Sequence, residues 1–186
     1  MTYEAGDILA FYGQDLISRL IRSWTWGPSH VAMVCRYENR PLLVESTTLS
    51  TDRCVITGQK TRGVQAHWPH DRVTRYPGRV ELYRLSTFWQ LAPDESALLT
   101  RALLAWVHNR LPYDLAGAAI SGTSLVKRSR WFPTDLDRLF CSELCAAALM
   151  RLCRLPLGVP GRYTPAGLIR ALRRQATYQS PLRIPA

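Results

Sequence analysis

Apolar residues recur along this chain in two rhythms. In the first half they come in short runs or alternate with polar ones, as strands require. Ile8 to Phe11 follows the turn residues Gly6-Asp7 and predicts a short strand. His30 to Cys35 and Pro41 to Ser46 predict two more, joined by a polar loop. Cys54 to Thr57 is a weak strand candidate, and Val64 to Trp68 is another inside the stretch 58–78, whose Gly, Pro, Trp and His content makes it the least legible. Arg79 to Leu85 alternates and fits a strand.

Helical spacing marks the rest. Leu16, Ile17, Leu20 and Ile21 predict a helix over Gln14 to Trp24, broken by Thr25-Trp-Gly-Pro-Ser29. Pro93-Asp-Glu-Ser opens a helix that continues to about Arg110, with proline in the first turn and acids near the positive helix end. Tyr113 to Ile120 reads as a short helix or turn, and Ser121 to Asp137 as loop. Phe140 to Leu155 predicts an apolar helix stopped by Pro156 and Gly158. Thr164, an N-cap, and Pro165, at the first helical position, open a last helix ending near Gln175. Strands early and helices late predict an α+β fold, an antiparallel sheet packed against helices.

The chain of 186 residues fits one domain, 1–186. Its apolar fraction of 47% and charged fraction of 20% are those of a globular protein. No apolar run approaches the roughly 20 residues that span a bilayer, and the first residues lack a signal-peptide pattern, so a cytoplasmic location is expected, with delivery by another route left open. The net charge of +10 raises nucleic acid as a partner. The arginines are scattered, however, with the densest groups at Lys127 to Arg130 and Arg170 to Arg174. Loose contact with an anionic envelope polymer or membrane surface suits them better than specific nucleic-acid binding. Five cysteines, three on one predicted helix, do not suggest a disulfide framework. Cys35, Cys54, Cys145 and Cys153 read as small core residues.

Cys141 carries the candidate chemistry. At the start of the apolar helix it faces the positive dipole end and unpaired backbone N–H groups. Both favour thiolate, the nucleophilic form, and the same N–H groups offer an oxyanion site. His30 opens a strand and Glu45 closes the next. If Arg36 to Asn39 form a four-residue hairpin loop, His30 faces Glu45 directly across the ladder. A two-residue loop at Asn39-Arg40 or nearby separates the two by several residues along it, so the spacing permits the pairing without forcing it. A carboxylate on one imidazole nitrogen orients the ring and stabilises the imidazolium, leaving the other nitrogen for the thiol proton. Competing readings stand beside each residue. Cysteine at a helix start is commonly packing, histidine opening a strand is commonly a satisfied core residue, and a terminal glutamate is commonly solvated. Glu143 competes as the carboxylate, and His67, His70 and His108 compete as the base.

The series Gly6-Asp7-Ile-Leu, Ser29-His30-Val with Glu45, Tyr113-Asp114, Phe140-Cys141-Ser-Glu-Leu and Tyr163-Thr-Pro-Ala-Gly-Leu168 resembles the circularly permuted NlpC/p60 group of papain-fold cysteine peptidases and amidases. In that group, as in the related lecithin:retinol acyltransferase-like enzymes, the nucleophile helix lies C-terminal to the His strand. The resemblance spans almost the whole chain and implies a permuted papain-like fold. It implies Cys141 as nucleophile, His30 as base and Glu45 as orienter, the carboxylate being similar to the bacterial hydrolase branch. Tyr113, Trp26 and Ser29 are the candidates for lining the substrate site, with ordinary packing the rival reading for the two aromatics. The function expected is a cysteine hydrolase cleaving an amide in a peptide, cell-wall peptide or conjugate through an acyl-enzyme, with no metal or organic cofactor. The alternatives are an acyl hydrolase or acyltransferase acting on a lipid or thioester, and a non-catalytic binding or virion-associated module.

Overall fold

The computed structural model describes residues 2–13, 27–47, 52–109 and 137–185, and of residues 137–140 the backbone only. Within them the fold is α+β, built on one six-stranded antiparallel sheet. The strands are β1 (Ile8–Gly13), β2 (His30–Tyr37), β3 (Arg40–Thr47), β4 (Gly63–His67), β5 (Gly78–Tyr83) and β6 (Leu182–Ile184). They lie side by side in the order β4-β3-β2-β1-β5-β6. The helices are α1 (Pro69–Thr74), α2 (Pro93–His108), α3 (Asp137–Arg151) and α4 (Pro165–Arg174).

Strand alternation sends side chains to two faces, and both are covered. Ile8, Ala10, Val31, Met33, Cys35, Leu42 and Val44 form one core with Leu99 and Leu103 of α2, Leu144 and Leu149 of α3, and Leu168 and Leu172 of α4. Leu9, Phe11, Ala32, Val34 and Leu43 form a second core with Val73 of α1, and Tyr76 packs against it. This two-sided burial explains why the central strands read as continuous apolar runs.

Local signals set several ends as expected. Thr164 Oγ1 accepts the Gly167 N–H at 3.0 Å, and Pro165 is the first residue of α4. Glu95 accepts the Ala92 N–H at 2.9 Å and closes the first turn of α2. Gly6, at φ +89°, allows the bend into β1; a side chain there would meet Leu85 at 2.6 Å.

Other expectations need correction. The β2–β3 connection is not a four-residue loop. Tyr37 pairs with Arg40, so the turn is the two residues Glu38 and Asn39, both at positive φ (49° and 61°). That backbone matches a type I′ turn, whose twist suits a tight hairpin. Cys54 to Thr57 is a turn, not a strand: the Gly58 N–H closes back on the Cys54 carbonyl at 2.8 Å. The strand expected near Val64 is present as β4, but α1 follows it, and β6 pairs with β5 near the end of the chain. Strands and helices are therefore less segregated than the hydrophobic pattern suggested. Cys35, Cys54 and Cys145 are buried, whereas Cys153 is exposed at positive φ just beyond α3. The helix expected over Gln14 to Trp24, the segment Tyr113 to Ile120 and the basic group Lys127 to Arg130 lie outside the described residues.

Candidate active site

Three elements converge on Glu45. The hairpin register, continued along β2 and β3, sets Ala32 opposite Glu45 and His30 opposite Thr47. His30 and Glu45 are thus diagonal neighbours on one face, two residues apart along the ladder. Diagonal Cβ atoms stand about 7–8 Å apart, within reach of two long side chains. The reach is used: His30 Nε2 and Glu45 Oε2 are 2.6 Å apart. The predicted pair is formed through a different register from the one expected.

His30 also hydrogen-bonds Cys141. Its Nε2 is taken by Glu45, so Nδ1 is the nitrogen left for the thiol. The structure therefore brings Cys141, His30 and Glu45 together in one chain of contacts. Burial alone would push the imidazole toward neutrality. The negative charge and hydrogen bond of Cys141, joined by those of Glu45, outweigh it and raise the His30 pKa to about 9. The imidazolium is accordingly the favoured form at neutral pH, as a thiolate–imidazolium pair requires.

Helix α3 begins at Asp137, one full turn before Cys141. This corrects the expected placement at the helix start. The orphan N–H groups belong to the first turn, and the dipole effect fades within it. The contact of Cys141 that bears on its chemistry is therefore the one to His30 rather than the helix end. Cys141 is fully buried, as are Ser142 and Cys145. The Ser142 hydroxyl donates to the Tyr163 carbonyl and so ties the cysteine helix to the segment that leads into α4.

Arg72, on α1, completes the cluster and has no counterpart in the sequence reading. Its Nε donates to Glu45 Oε1 at 2.7 Å and its Nη2 to Oε2 at 3.3 Å. Its guanidinium lies 5.1 Å from the Phe11 ring centre and 5.4 Å from that of Tyr76. Phe11 also packs on the His30 ring, with centroids 5.4 Å apart. Glu45 is wholly buried, and burial by itself would raise its pKa. The Arg72 charge first, then the bond to His30, reverse this and hold the carboxyl far below its ordinary range. The signal for α1 was present in Pro69 and Asp71, a proline start and an acid in the first turn. What the helix would cover was not.

The rival candidates fall elsewhere. His67 is buried, bonds Gln65 Oε1 at 3.1 Å and stands 3.6 Å from Glu45 Oε1. Burial is the main cause that lowers its pKa. His70 and His108 are exposed. Glu143 packs beside the turn at Gly161, and burial raises its pKa. The Ser29 hydroxyl donates to the Phe11 carbonyl at 3.2 Å and receives the Gly13 N–H at 3.3 Å, so it fastens β1 rather than facing a substrate. Trp26 and Tyr113 lie outside the described residues.

No family model matches this chain, and no curated protein matches it. Among solved structures, the fold is similar to that of the metalloprotein yiiX from Escherichia coli O157:H7, a DUF1105 protein. The two share 16% identity and a TM-score of 0.56, over 85% of this chain and 71% of that one. At that identity the likeness is one of fold alone. Both Glu45 oxygens accept from the Arg72 fork, and one also meets His30. A cation there would face a guanidinium at hydrogen-bond distance from its ligand, so these residues do not fit a metal. Among the described residues no cluster of three or more His, Cys, Asp or Glu side chains has metal-binding geometry.

Proposed function

We propose that this protein is a cysteine hydrolase with a permuted papain-like arrangement, cleaving an amide bond in a peptide, cell-wall peptide or conjugate. The order of elements suits the permutation, since the His strand β2 precedes the cysteine helix α3. The observation that carries the proposal is His30, bonded to Cys141 on one side and to Glu45 on the other. In this scheme the Cys141 thiolate attacks the carbonyl carbon. The His30 imidazolium gives its Nδ1 proton to the leaving amine as the C–N bond breaks. His30, now neutral, takes a proton from water, whose oxygen attacks the thioester and releases the acid and the thiolate. Glu45 stays ionised throughout and stabilises each imidazolium. Among the described residues no helix is long and apolar enough to cross a membrane.

The test begins with thiol reactivity. In a Cys153→Ser background, which removes the exposed thiol, a small alkylating agent should label Cys141 alone. The rate should already be on its plateau at neutral pH, whereas a free thiol titrates near about 8.5. His30→Ala should move that profile upward. Mass spectrometry of Cys141 after exposure to amide, ester and thioester acyl donors should find an acyl adduct first from the amides. Failure of Cys141 to label, or ordinary thiol behaviour, overturns the hydrolase. An adduct from lipid esters alone moves the substrate class to acyl lipids.

A further inference from the structure

We infer that Arg72 is a positioning residue for the reaction: its two-toothed grip on Glu45 holds that carboxylate ionised and aimed at His30. This role presupposes the thiol-hydrolase assignment. Three observations carry it. The fork is bidentate, at 2.7 and 3.3 Å, the geometry that fixes a carboxylate plane as well as its charge. The guanidinium is held near two rings, Phe11 and Tyr76, and its side chain is only 15% exposed, so it is fixed before any substrate arrives. Phe11 contacts Arg72, Tyr76 and His30 together, so a single aromatic side chain ties the cation to the imidazole it serves.

Glu45 needs such a partner. It has no exposure to water, and a lone buried carboxylate takes up a proton. A protonated Glu45 donates a hydrogen bond where it should accept one, and it leaves the imidazolium uncompensated. The groups around it are His30 on β2, Gln65 and His67 on β4, and Arg72 on α1, with Tyr76 and Asp52 farther out near Arg72. Gln65 is neutral, its amide donating to the Thr47 and Thr61 carbonyls. Burial favours the neutral form of His67. Among the described residues Arg72 is therefore the permanent cation in direct contact with Glu45, present whichever way the proton between Cys141 and His30 sits.

The experiment measures the pH profile of Cys141 alkylation in the full-length chain carrying Cys153→Ser. Removing a cation beside linked acids raises their hold on protons. Arg72→Gln should therefore move the midpoint of the profile up by about one pH unit. It should slow alkylation at neutral pH about tenfold, while Arg72→Lys, which keeps the charge, recovers most of both. In a Glu45→Gln background, Arg72→Gln should slow alkylation less than about twofold, because its effect passes through Glu45. An unmoved midpoint in Arg72→Gln, with an activated wild-type thiol, overturns the positioning role and leaves the hydrolase standing. Equal slowing in both backgrounds does the same. A wild-type Cys141 that behaves as an ordinary thiol overturns the hydrolase first. If Arg72→Gln does not fold, the Glu45→Gln/Arg72→Gln double variant, which buries neither charge, replaces it. It supports the role if its profile matches Glu45→Gln alone, and overturns it if it lies higher.

Discussion

Two buried carboxylates in this fold are each gripped by an arginine, yet their pKa values move in opposite directions. Asp7, before β1, accepts from Arg84 Nε at 3.2 Å and Nη2 at 3.0 Å, and from the Glu4 N–H at 2.9 Å. Glu45 accepts from Arg72 in the same two-toothed way. Yet burial wins at Asp7 and its pKa is raised, whereas at Glu45 it is strongly lowered. The difference is the second cation. Arg84 also spends a bond on the Thr2 carbonyl and faces Glu4, so its charge is shared. Glu45 has His30 as well as Arg72, and His30 is itself kept protonated by Cys141. A buried arginine–carboxylate pair is thus a structural tie by default. At Glu45 it is part of the candidate site because a third, titratable partner, His30, connects it to Cys141.

The largest expected effects test which cluster serves chemistry. Cys141→Ala and His30→Ala should each lower turnover more than about a thousandfold while circular dichroism stays native. Asp7→Asn should leave kcat within about twofold in protein that remains folded. An equal loss from Asp7→Asn would erase the distinction between the two clusters.

Glu45→Gln sharpens it further. The carboxylate accepts from both His30 and Arg72, whereas an amide has one oxygen. Turning that oxygen to His30 sets an NH2 against the Arg72 N–H groups; turning it to Arg72 forces the wrong tautomer on His30. Turnover should fall on the order of a hundredfold. A near-normal rate would show that His30 needs no carboxylate.

Next comes stability. Asp7→Ala strands Arg84 and the Glu4 N–H and should cost about 2–4 kcal/mol in denaturant unfolding, with the alkylation profile of Cys141 unchanged. A moved profile would connect the two clusters.

The smallest effect is the slope of stability with pH. Glu45 has a folded pKa below its unfolded one. Its contribution is present above the ordinary value of about 4.5 and is lost as pH falls below it. Asp7, with a raised folded pKa, has the reverse sign, and stabilises more as it is protonated. His30 contributes fully below about 6.5 and loses that contribution as pH rises through about 9. Thermal midpoints measured across pH should therefore show a flatter acid limb in Glu45→Gln, no flattening in Asp7→Asn, and a flatter alkaline limb in His30→Ala.

What the sequence determined by itself is what local forces decide. The cap at Thr164, the proline start of α2, the turn at Gly6 and the apolar runs of β1 to β3 depend on neighbours a few residues away. Each is formed where the pattern placed it. The residue types of the candidate triad were legible for the same reason, since a cysteine on an apolar helix and a histidine and glutamate on adjacent strands are visible one element at a time. The tertiary structure decided the rest. Whether His30 meets Glu45 straight across or on the diagonal turned on two residues, Glu38 and Asn39, adopting positive φ, and a change of loop length shifts every pair on the ladder. Arg72 acquires its place only because α1 folds back beside β3 and sets a cation on a carboxylate 27 positions earlier in the chain. Burial then fixes the charge states, since desolvation and the sum of neighbouring charges depend on what has packed around a group and not on which residues precede it.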